Sequence, residues 1–256
     1  MLLTVAGLAL GAGVSAVAAF GRPVAEVTSA QPQYSLSLNG TSAYVSAPAS
    51  GSLELAQANA FTVAFRVLLR SYSNNVLPRF WEKGPQYLCV MGDPTNSRFR
   101  EIGLEVQNAS GGGNRNGGAT EFWGSTRLQT DRWYFVAVTF DGSRRSNQAQ
   151  IYVDGAPESM ATVYPWSGTL FSTAGRPWMI GRRTADLARQ LDGDIGSMTV
   201  YRSALRADQI TKLYRGQVVA GAAASWGLDE GSGTTAFDGS GNANTGSIVD
   251  GLWVAN

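Results

Sequence analysis

The sequence contains no histidine and only one cysteine among its 256 residues. Histidine is the usual general base for Ser, Cys and Thr nucleophiles and the commonest zinc ligand, so its absence excludes a catalytic triad of that kind. One cysteine cannot form an internal disulfide. Cys89 lies in the apolar run Tyr87-Leu88-Cys89-Val90-Met91, which predicts a buried small hydrophobe rather than a reactive thiol.

Charged residues are also scarce. They make up 15% of the chain and leave a net charge of +1, so we expect no nucleic-acid partner. The chain is instead 44% apolar with 31 glycines, a composition typical of many short strands joined by turns. Its length suits one large β-sandwich, with or without a short appendage.

The first twenty residues carry no charged side chain. Three alternatives follow. The segment is a secretory signal with a weak cleavage pattern at Ala16-Val17-Ala18, a membrane anchor with Gly7 and Gly11 at helix-packing spacing, or an arm that docks onto protein partners in a larger assembly. Only the anchor alternative involves a membrane. Residues 21–33 resemble a linker, so we expect residues 1–33 to lie apart from the folded domain.

Two stretches, Arg132–Gly142 and Gln150–Gly155, predict neighbouring antiparallel strands that each end in an Asp-Gly turn. Asn39-Gly40 predicts a further hairpin between Tyr34–Leu38 and a return strand at Tyr44-Val45. The pattern also predicts an exposed glycine-rich loop at 108–118 and one helix over 203–214. Additional strands are expected at Phe61–Val67, 80–84, 86–91 and 102–106.

These elements form a recognisable set. From about Tyr34 to Asn256, the chain resembles the LamG-like modules of the concanavalin A-like lectin/glucanase superfamily. The resemblance implies an all-β, two-sheet antiparallel jelly-roll sandwich. The residues that carry it are Leu36–Gly40 with Tyr44-Val45, Trp133–Gly142, Tyr152–Gly155, Met179–Gly181, Gly193–Ile195 and Val200–Leu205.

One part of this pattern is out of order. The string from Ser225 to Asn242 resembles the family's opening strand and loop, which usually precede the Leu38-Asn39-Gly40 element. We therefore expect residues 222–256 to supply the first strands of a domain spanning 34–256, as in a circular permutation.

Catalysis is not expected. A glycanase of this superfamily would carry a Glu-x-Asp-x-x-Glu arrangement, which the sequence lacks. Glu101 and Glu105 share a predicted strand face, but they would lie about 13 Å apart. That separation is too large for either geometry of glycoside hydrolysis.

Calcium is the one cofactor that the sequence admits. The loop at 238–244 places oxygen-bearing side chains at alternate positions, as calcium loops do. Two departures weaken this prediction, because Ser42-Ala43 and Gly196-Ser197 stand where the family often has acidic residues. The candidate ligands are Asp238, Ser240, Asn242, Asn244 and Asp194.

Sugar binding requires aromatic faces that stack on pyranose rings and planar polar groups that bind hydroxyls. Several aromatic residues and arginines fall near predicted strand ends, although each also fits a core or edge position. Trp133 and Trp226 are assigned to the core. The candidate glycan-binding residues are Trp166, Tyr164, Trp178, Trp123, Arg144 and Arg182.

The leading hypothesis is a non-catalytic recognition or adhesion module at an extracellular or virion surface. In this hypothesis the domain decorates a virus or phage particle, binds surface glycans and is attached through residues 1–33. The alternative is a secreted bacterial lectin whose signal peptide is cleaved.

Overall fold

A computed structural model describes residues 32–72, 76–109, 118–185 and 188–256. One helix, α1, spans Ala207–Tyr214, and a short 3-10 turn spans Gly51–Leu53. The strands are β1 Tyr34–Asn39, β2 Tyr44–Ala47, β3 Ala60–Leu69, β4 Arg79–Lys83, β5 Gln86–Val90, β6 Ile102–Gln107, β7 Ala119–Trp123, β8 Trp133–Asp141, β9 Ala149–Val153, β10 Ala156–Pro157, β11 Ala161–Val163, β12 Trp178–Ile180, β13 Asp192–Tyr201, β14 Ala222–Trp226, β15 Thr235–Ala236, β16 Gly246–Val249 and β17 Leu252–Ala255.

The strands form two antiparallel sheets. The eight-stranded sheet has the order β10-β9-β8-β3-β13-β1-β17, with β14 also paired to β13. The nine-stranded sheet has the order β11-β7-β6-β5-β4-β12-β2-β16-β15. Alternate side chains of both sheets meet in one apolar core, as sandwich packing requires. The predicted jelly-roll sandwich is confirmed.

Most strand predictions hold, but the first hairpin does not. The two stretches ending in Asp-Gly pair as β8 and β9, as predicted. In contrast, β1 and β2 belong to different sheets. Asn39 Oδ1 accepts the N–H groups of Thr41, Ser42 and Ala43 at 3.0, 2.9 and 3.0 Å. Asn39-Gly40 is thus a true turn, but it carries the chain from one sheet to the other.

The C-terminal strands complete both sheets. β14 pairs with β13, β16 with β2, and β17 with β1. The Asn256 N–H donates to the Gln33 carbonyl at 3.0 Å, so the end of the domain lies beside its start. Residues 222–256 thus contribute strands to both sheets of the same domain; that they stand in for the family's opening strands stays a prediction.

The helix is shorter than predicted. The chain at Ser203–Arg206 precedes α1, and the Ser203 carbonyl accepts the Thr62 hydroxyl at 2.7 Å. α1 is followed by Gly216, whose φ of +73° suits the predicted glycine stop. Ile210 of α1 packs with Phe135 and other apolar residues on the outer face of the eight-stranded sheet.

Tryptophans fill much of the core. The rings of Trp81 and Trp178 stack with centroids 5.0 Å apart, and Trp226 lies 6.2 Å from Trp178. Trp226 is fully buried, as predicted. The prediction for Trp133 is wrong, because it is only half-buried and lies outside the core cluster.

Two predictions concern residues that lie wholly or mainly outside the described part of the chain. These are the N-terminal segment 1–33, of which only residues 32 and 33 are described, and the glycine-rich loop, where 110–117 are not described. Within the described ranges, no helix is long and apolar enough to cross a membrane.

Candidate glycan-binding groove

The outer face of the nine-stranded sheet carries a row of polar side chains. Strand register places Glu121 opposite Glu105, Glu105 opposite Tyr87, and Tyr87 opposite Glu82. Because neighbouring strands lie about 4.8 Å apart, this row runs roughly 14 Å across the sheet. Three carboxylates and one phenol therefore follow one line over four strands.

A second row lies beside the first. Trp123 is opposite Gly103, Gly103 opposite Cys89, and Cys89 opposite Arg79. A Cβ atom on Gly103 would lie 2.6 Å from Cζ3 of the Trp123 indole. Glycine is therefore required at 103 for the indole to lie close against the sheet.

Tyr87 connects the charged groups of both rows. The Arg79 guanidinium lies 3.3 Å from the centroid of the Tyr87 ring, and the Tyr87 hydroxyl donates to Glu105 Oε2 at 2.6 Å. Arg79 is itself paired with Glu82, with 3.3 Å between Nε and Oε2. Burial raises the pKa of Tyr87, so the hydroxyl keeps its proton and acts as a donor.

Cys89 lies under this network. It is buried, as predicted, but on the outer side of the sheet with Met91 and Trp123 rather than in the core between the sheets. Burial raises the pKa of the thiol to about 12. The thiol therefore remains protonated and unreactive at neutral pH.

Two adjoining cavities lie along these rows. The first has a volume of about 450 Å³ and includes Trp123, Glu121 and Tyr164 in its lining. The second has a volume of about 650 Å³ and includes Arg79 and Glu82. Both include Leu77, Tyr87 and Glu105. We call the two together the groove; each volume lies in the range usual for ligand sites.

Two of the predicted glycan-binding residues line the groove. Trp123 forms part of its floor and donates Nε1–H to Glu121 Oε2 at 3.1 Å. Tyr164 is half-buried and has a φ of +67°, a conformation that non-glycine residues rarely adopt. Such strain is common at ligand sites.

The other four predicted residues lie elsewhere. Trp178 is 0% exposed and Trp166 is 8% exposed, with Nε1–H of Trp166 donated to the Gly142 carbonyl. Neither ring has a face open for sugar stacking, so the structure corrects both assignments. Arg144 is paired with Asp141 and lines a separate cavity. The Arg182 guanidinium lies 4.0 Å from the centroid of the Tyr44 ring, outside the groove lining.

Several groove residues were missed by the sequence analysis. The strongest available signal was the alternation in β5 and β6, which puts Tyr87 and Glu105 on the face opposite to Leu88 and Leu104. Glu121 could not be linked to Glu105 without knowing the register of β6 and β7. Arg176, Arg183 and Arg189 lie in loops that only the folded chain brings to the sheet. Arg79 lies on β4, and its place in the groove depends on the register of β4 with β5. The groove residues that the sequence analysis did not assign to a glycan site are Tyr87, Glu105, Glu121, Arg79, Arg176 and Arg189; Arg183, next to the predicted Arg182, also lines the groove.

The predicted calcium ligands do not fit a calcium ion. Asp238 Oδ1 accepts the N–H groups of Ser225 and Ser240, and Oδ2 accepts the Asn244 N–H and the Ser240 hydroxyl, all at 2.8–2.9 Å. Asn242 donates Nδ2–H to the Ala223 carbonyl at 3.1 Å. These hydrogen bonds organise a turn whose carboxylate oxygens are already occupied by donors.

The side chains of the two remaining calcium candidates, Asp194 and Asn244, also have other partners. Asp194 forms an ion pair with Arg70, and Asn244 is buried with Oδ1 accepting the Ser52 hydroxyl at 3.1 Å. Within the described ranges, no three His, Cys, Asp or Glu residues are arranged to hold a metal ion.

The Asp238 turn predicts a pH dependence of stability. Burial favours protonation of Asp238, but the N–H donors of Ser240, Ser225 and Asn244 outweigh it and hold the pKa below 3.8. The carboxylate therefore stabilises the fold above that pH and loses this effect as the pH falls through its folded-state pKa. Because an amide nitrogen cannot accept the Asn244 N–H, Asp238→Asn should lower the free energy of unfolding at pH 7 by about 1–2 kcal/mol.

Urea unfolding of both proteins at pH 7 and at pH 3 or below measures this effect. The difference in the free energy of unfolding between the wild type and Asp238→Asn should be smaller at the acidic pH than at pH 7. An equal difference at both pH values would show that the Asp238 charge contributes nothing to the turn.

Comparisons with known proteins agree with this architecture. A laminin G family profile, described as concanavalin A-like lectin/glucanases superfamily, matches residues 39–211. A comparison with curated proteins gives no match. Among solved structures, the fold is similar to that of a Bacteroides ovatus protein provisionally described as carbohydrate-binding, with a TM-score of 0.66 and 16% identity over 88% of this chain. This chain spans 60% of the length of that protein.

Two further structures show lower similarity. Domain 4 of a GH43 extracellular arabinanase from Geobacillus stearothermophilus, in complex with arabinotriose, has a TM-score of 0.48 and 18% identity, over 70% of this chain and 76% of that one. A native heptameric SAP-like pentraxin from Limulus polyphemus has a TM-score of 0.45 and 14% identity, over 72% and 82%. Identities this low concern the fold alone. Because the family profile covers residues 39–211 of a 256-residue chain, this chain belongs to the concanavalin A-like lectin/glucanase superfamily.

Proposed function

We propose that this protein is a non-catalytic carbohydrate-binding module and that the groove is its binding site. One observation carries the proposal: aromatic rings and carboxylates line the same concave site, and Tyr87 and Glu105 line both of its cavities. Aromatic rings provide apolar surface for a sugar ring, and carboxylates accept hydrogen bonds from sugar hydroxyls. The Bacteroides ovatus protein, provisionally described as carbohydrate-binding, supports the same function by its fold.

A glycan array with Glu121→Gln tests the site. Glu121 lines the groove, and its carboxylate is a hydrogen-bond acceptor that also accepts Nε1–H of Trp123 at 3.1 Å. Glutamine keeps the shape but replaces one acceptor by a donor, so we expect at least a fivefold loss of affinity for the glycans that bind the wild type, or roughly 1 kcal/mol. Isothermal titration calorimetry with the best array hit measures the change.

Asp131→Asn is the matched control. Asp131 is exposed, lies outside the groove lining and has a φ of +58°, which asparagine tolerates. Its affinity should equal that of the wild type. An array without any bound glycan would refute the proposed function.

The paired carboxylates favour one second candidate, a glycoside hydrolase. Directly opposite residues on antiparallel strands have Cβ atoms about 4.5–5.5 Å apart, so Glu105 and Glu121 lie much closer together than the separation expected for Glu101 and Glu105. Retaining glycosidases need carboxyl groups about 5–5.5 Å apart. Each carboxylate, however, already accepts a hydrogen bond from an aromatic neighbour that shapes the groove. Incubation of each array hit with the protein should release no shorter sugars; turnover abolished by Glu105→Gln would establish the hydrolase instead.

The setting of the module is the second part of the proposal. We propose that it is displayed outside the cell or on a virus or phage particle, with residues 1–33 as the attachment to protein partners. The uncharged stretch at residues 1–20 supports this, because such a segment needs an apolar partner. N-terminal sequencing of the native protein distinguishes it from the secreted-lectin alternative, in which the mature chain begins near Ala19.

A further inference from the structure

The charges of the groove are divided between its two ends. The lining of the first cavity includes Glu105 and Glu121, together with Arg98, which is itself paired with Glu101 at 3.3 Å. The lining of the second cavity includes Arg176, Arg183 and Arg189, besides the Arg79–Glu82 ion pair and Glu105, which lines both cavities. One end is therefore acidic and the other basic, with Tyr87 between them.

Contacts with the sheet fix two of the basic residues in place. The Arg189 carbonyl accepts the Arg79 N–H at 2.9 Å, which holds Arg189 beside the second row. The Arg176 carbonyl accepts a hydrogen bond from Nζ of the buried Lys83. A Cβ on Gly84 would lie 2.6 Å from Cδ of Arg176, so the stem of that arginine crosses the glycine. The sheet thus positions the backbone of Arg189, and the backbone and side-chain stem of Arg176, at the basic end.

Within the described part of the chain, the guanidinium groups of these two arginines are not paired with a carboxylate. Arg79 is neutralised by Glu82 at 3.3 Å. Neither Arg176 nor Arg189 has a carboxylate within ion-pair distance among the residues that the structure describes. A guanidinium binds a carboxylate or sulfate through paired, charge-assisted hydrogen bonds.

The aromatic side chains are concentrated at the opposite end. Trp123 and Tyr164 line only the acidic cavity. Its carboxylates can accept hydrogen bonds from neutral sugar hydroxyls, but they would repel an anionic group. The acidic end therefore suits neutral sugars, whereas the basic end suits a sugar that carries a negative charge.

We infer that the groove binds an oligosaccharide that carries an acidic sugar at one terminus and neutral sugars next to it. The acidic group lies at Arg176 and Arg189, and the neutral sugars lie against Trp123, Tyr164 and Tyr87. This inference rests on the proposed carbohydrate-binding function and adds the ligand class and its direction in the groove. A polyuronate with a charge on every sugar fits less well, because one of its carboxylates would face Glu105 and Glu121.

Matched pairs of ligands test the inference. 3′-Sialyllactose is compared with lactose, and 4-O-methylglucuronosyl xylotriose with xylotriose, on the full-length protein at low ionic strength. The full glycan array adds further acid-terminated sugars with their neutral parents. Among the glycans that bind, the acid-terminated member should bind at least about tenfold more tightly, the equivalent of one charge-assisted hydrogen bond. Trigalacturonic acid should bind more weakly than the acid-terminated hits.

Arginine variants locate the acidic group. Arg189→Gln and Arg176→Gln should each remove most of the preference for the acid-terminated member, measured as the ratio of its affinity to that of the neutral parent. Arg145→Gln is the control, because it makes the same charge change at an exposed position outside the groove lining. Circular dichroism confirms that each variant is folded.

Equal affinity for acid-terminated and neutral partners would overturn the inference and leave the proposed function intact. A preference for acidic sugars that survives both arginine substitutions would also overturn it. If no glycan binds, the proposed function fails and the inference fails with it.

Discussion

Deletion of residues 222–256 should unfold the domain. The deletion removes β14, β16 and β17, which pair with β13, β2 and β1 and so complete both sheets. It also removes the fully buried Trp226, whose Nε1–H donates to the Asn244 carbonyl at 2.8 Å. Loss of one buried tryptophan side chain alone costs about 3–5 kcal/mol, against a total stability of about 5–15 kcal/mol for a typical domain. The deleted chain should show no cooperative transition in urea, measured by tryptophan fluorescence.

A rearranged chain is the control for this deletion. Moving residues 222–256 in front of Gln33 restores every strand and opens the chain at the exposed Gly221. Because the Asn256 N–H already donates to the Gln33 carbonyl, a tight linker can join β17 to β1. We expect this permuted protein to unfold cooperatively, within about 2 kcal/mol of the wild type. If the deleted chain instead unfolds at the wild-type midpoint, the C-terminal strands contribute little to the core.

Tyr87→Ala should have the largest effect on ligand binding. Tyr87 belongs to both cavities, covers the Arg79 guanidinium at 3.3 Å and donates to Glu105 at 2.6 Å. The substitution removes the contact surface at the centre of the groove. It also leaves Arg79 without the ring that covers it and Glu105 without the hydroxyl that donates to it. Central aromatic residues of this kind contribute about 2 kcal/mol or more to binding, so affinity for the best array hit should fall at least thirtyfold. Titration calorimetry provides the measurement.

Two companion variants separate binding from folding. Tyr87→Phe keeps the ring and loses only the hydroxyl that orients Glu105, so a smaller loss of about fivefold is expected. Tyr214→Ala removes an exposed tyrosine from α1, on the opposite sheet, and should leave affinity unchanged. A folded Tyr87→Ala protein with wild-type affinity would place the binding site outside the groove.

The sequence analysis succeeded where structure is decided locally. The β8–β9 pair was predictable because Asp-Gly turns and β-branched residues act within one hairpin. The Asn39-Gly40 turn was also predictable, but which sheet receives β2 depends on its pairing with β12 and β16, more than a hundred residues away in the chain. A turn signal contains no information about such partners.

The site was harder to predict for a related reason. Trp166 and Trp178 lie near loops in sequence, yet Trp166 packs edge-on against Phe140 with centroids 4.9 Å apart and Trp178 stacks on Trp81. The pairing of Glu105 with Glu121 depends on the register across the glycine-rich connection. Burial and register are properties of the assembled sandwich, so aromatic position alone could not distinguish groove from core.

Because Cys89 is buried, a second cysteine introduced in the groove can be labelled selectively. Because its thiol has a pKa of about 12 and the residue is only 1% exposed, maleimide reagents should leave the native chain unmodified. A cysteine introduced at the exposed Ser97, which lines the first cavity, would then be the single reactive thiol. An environment-sensitive fluorophore at that position would convert the module into an optical sensor for whatever enters the groove.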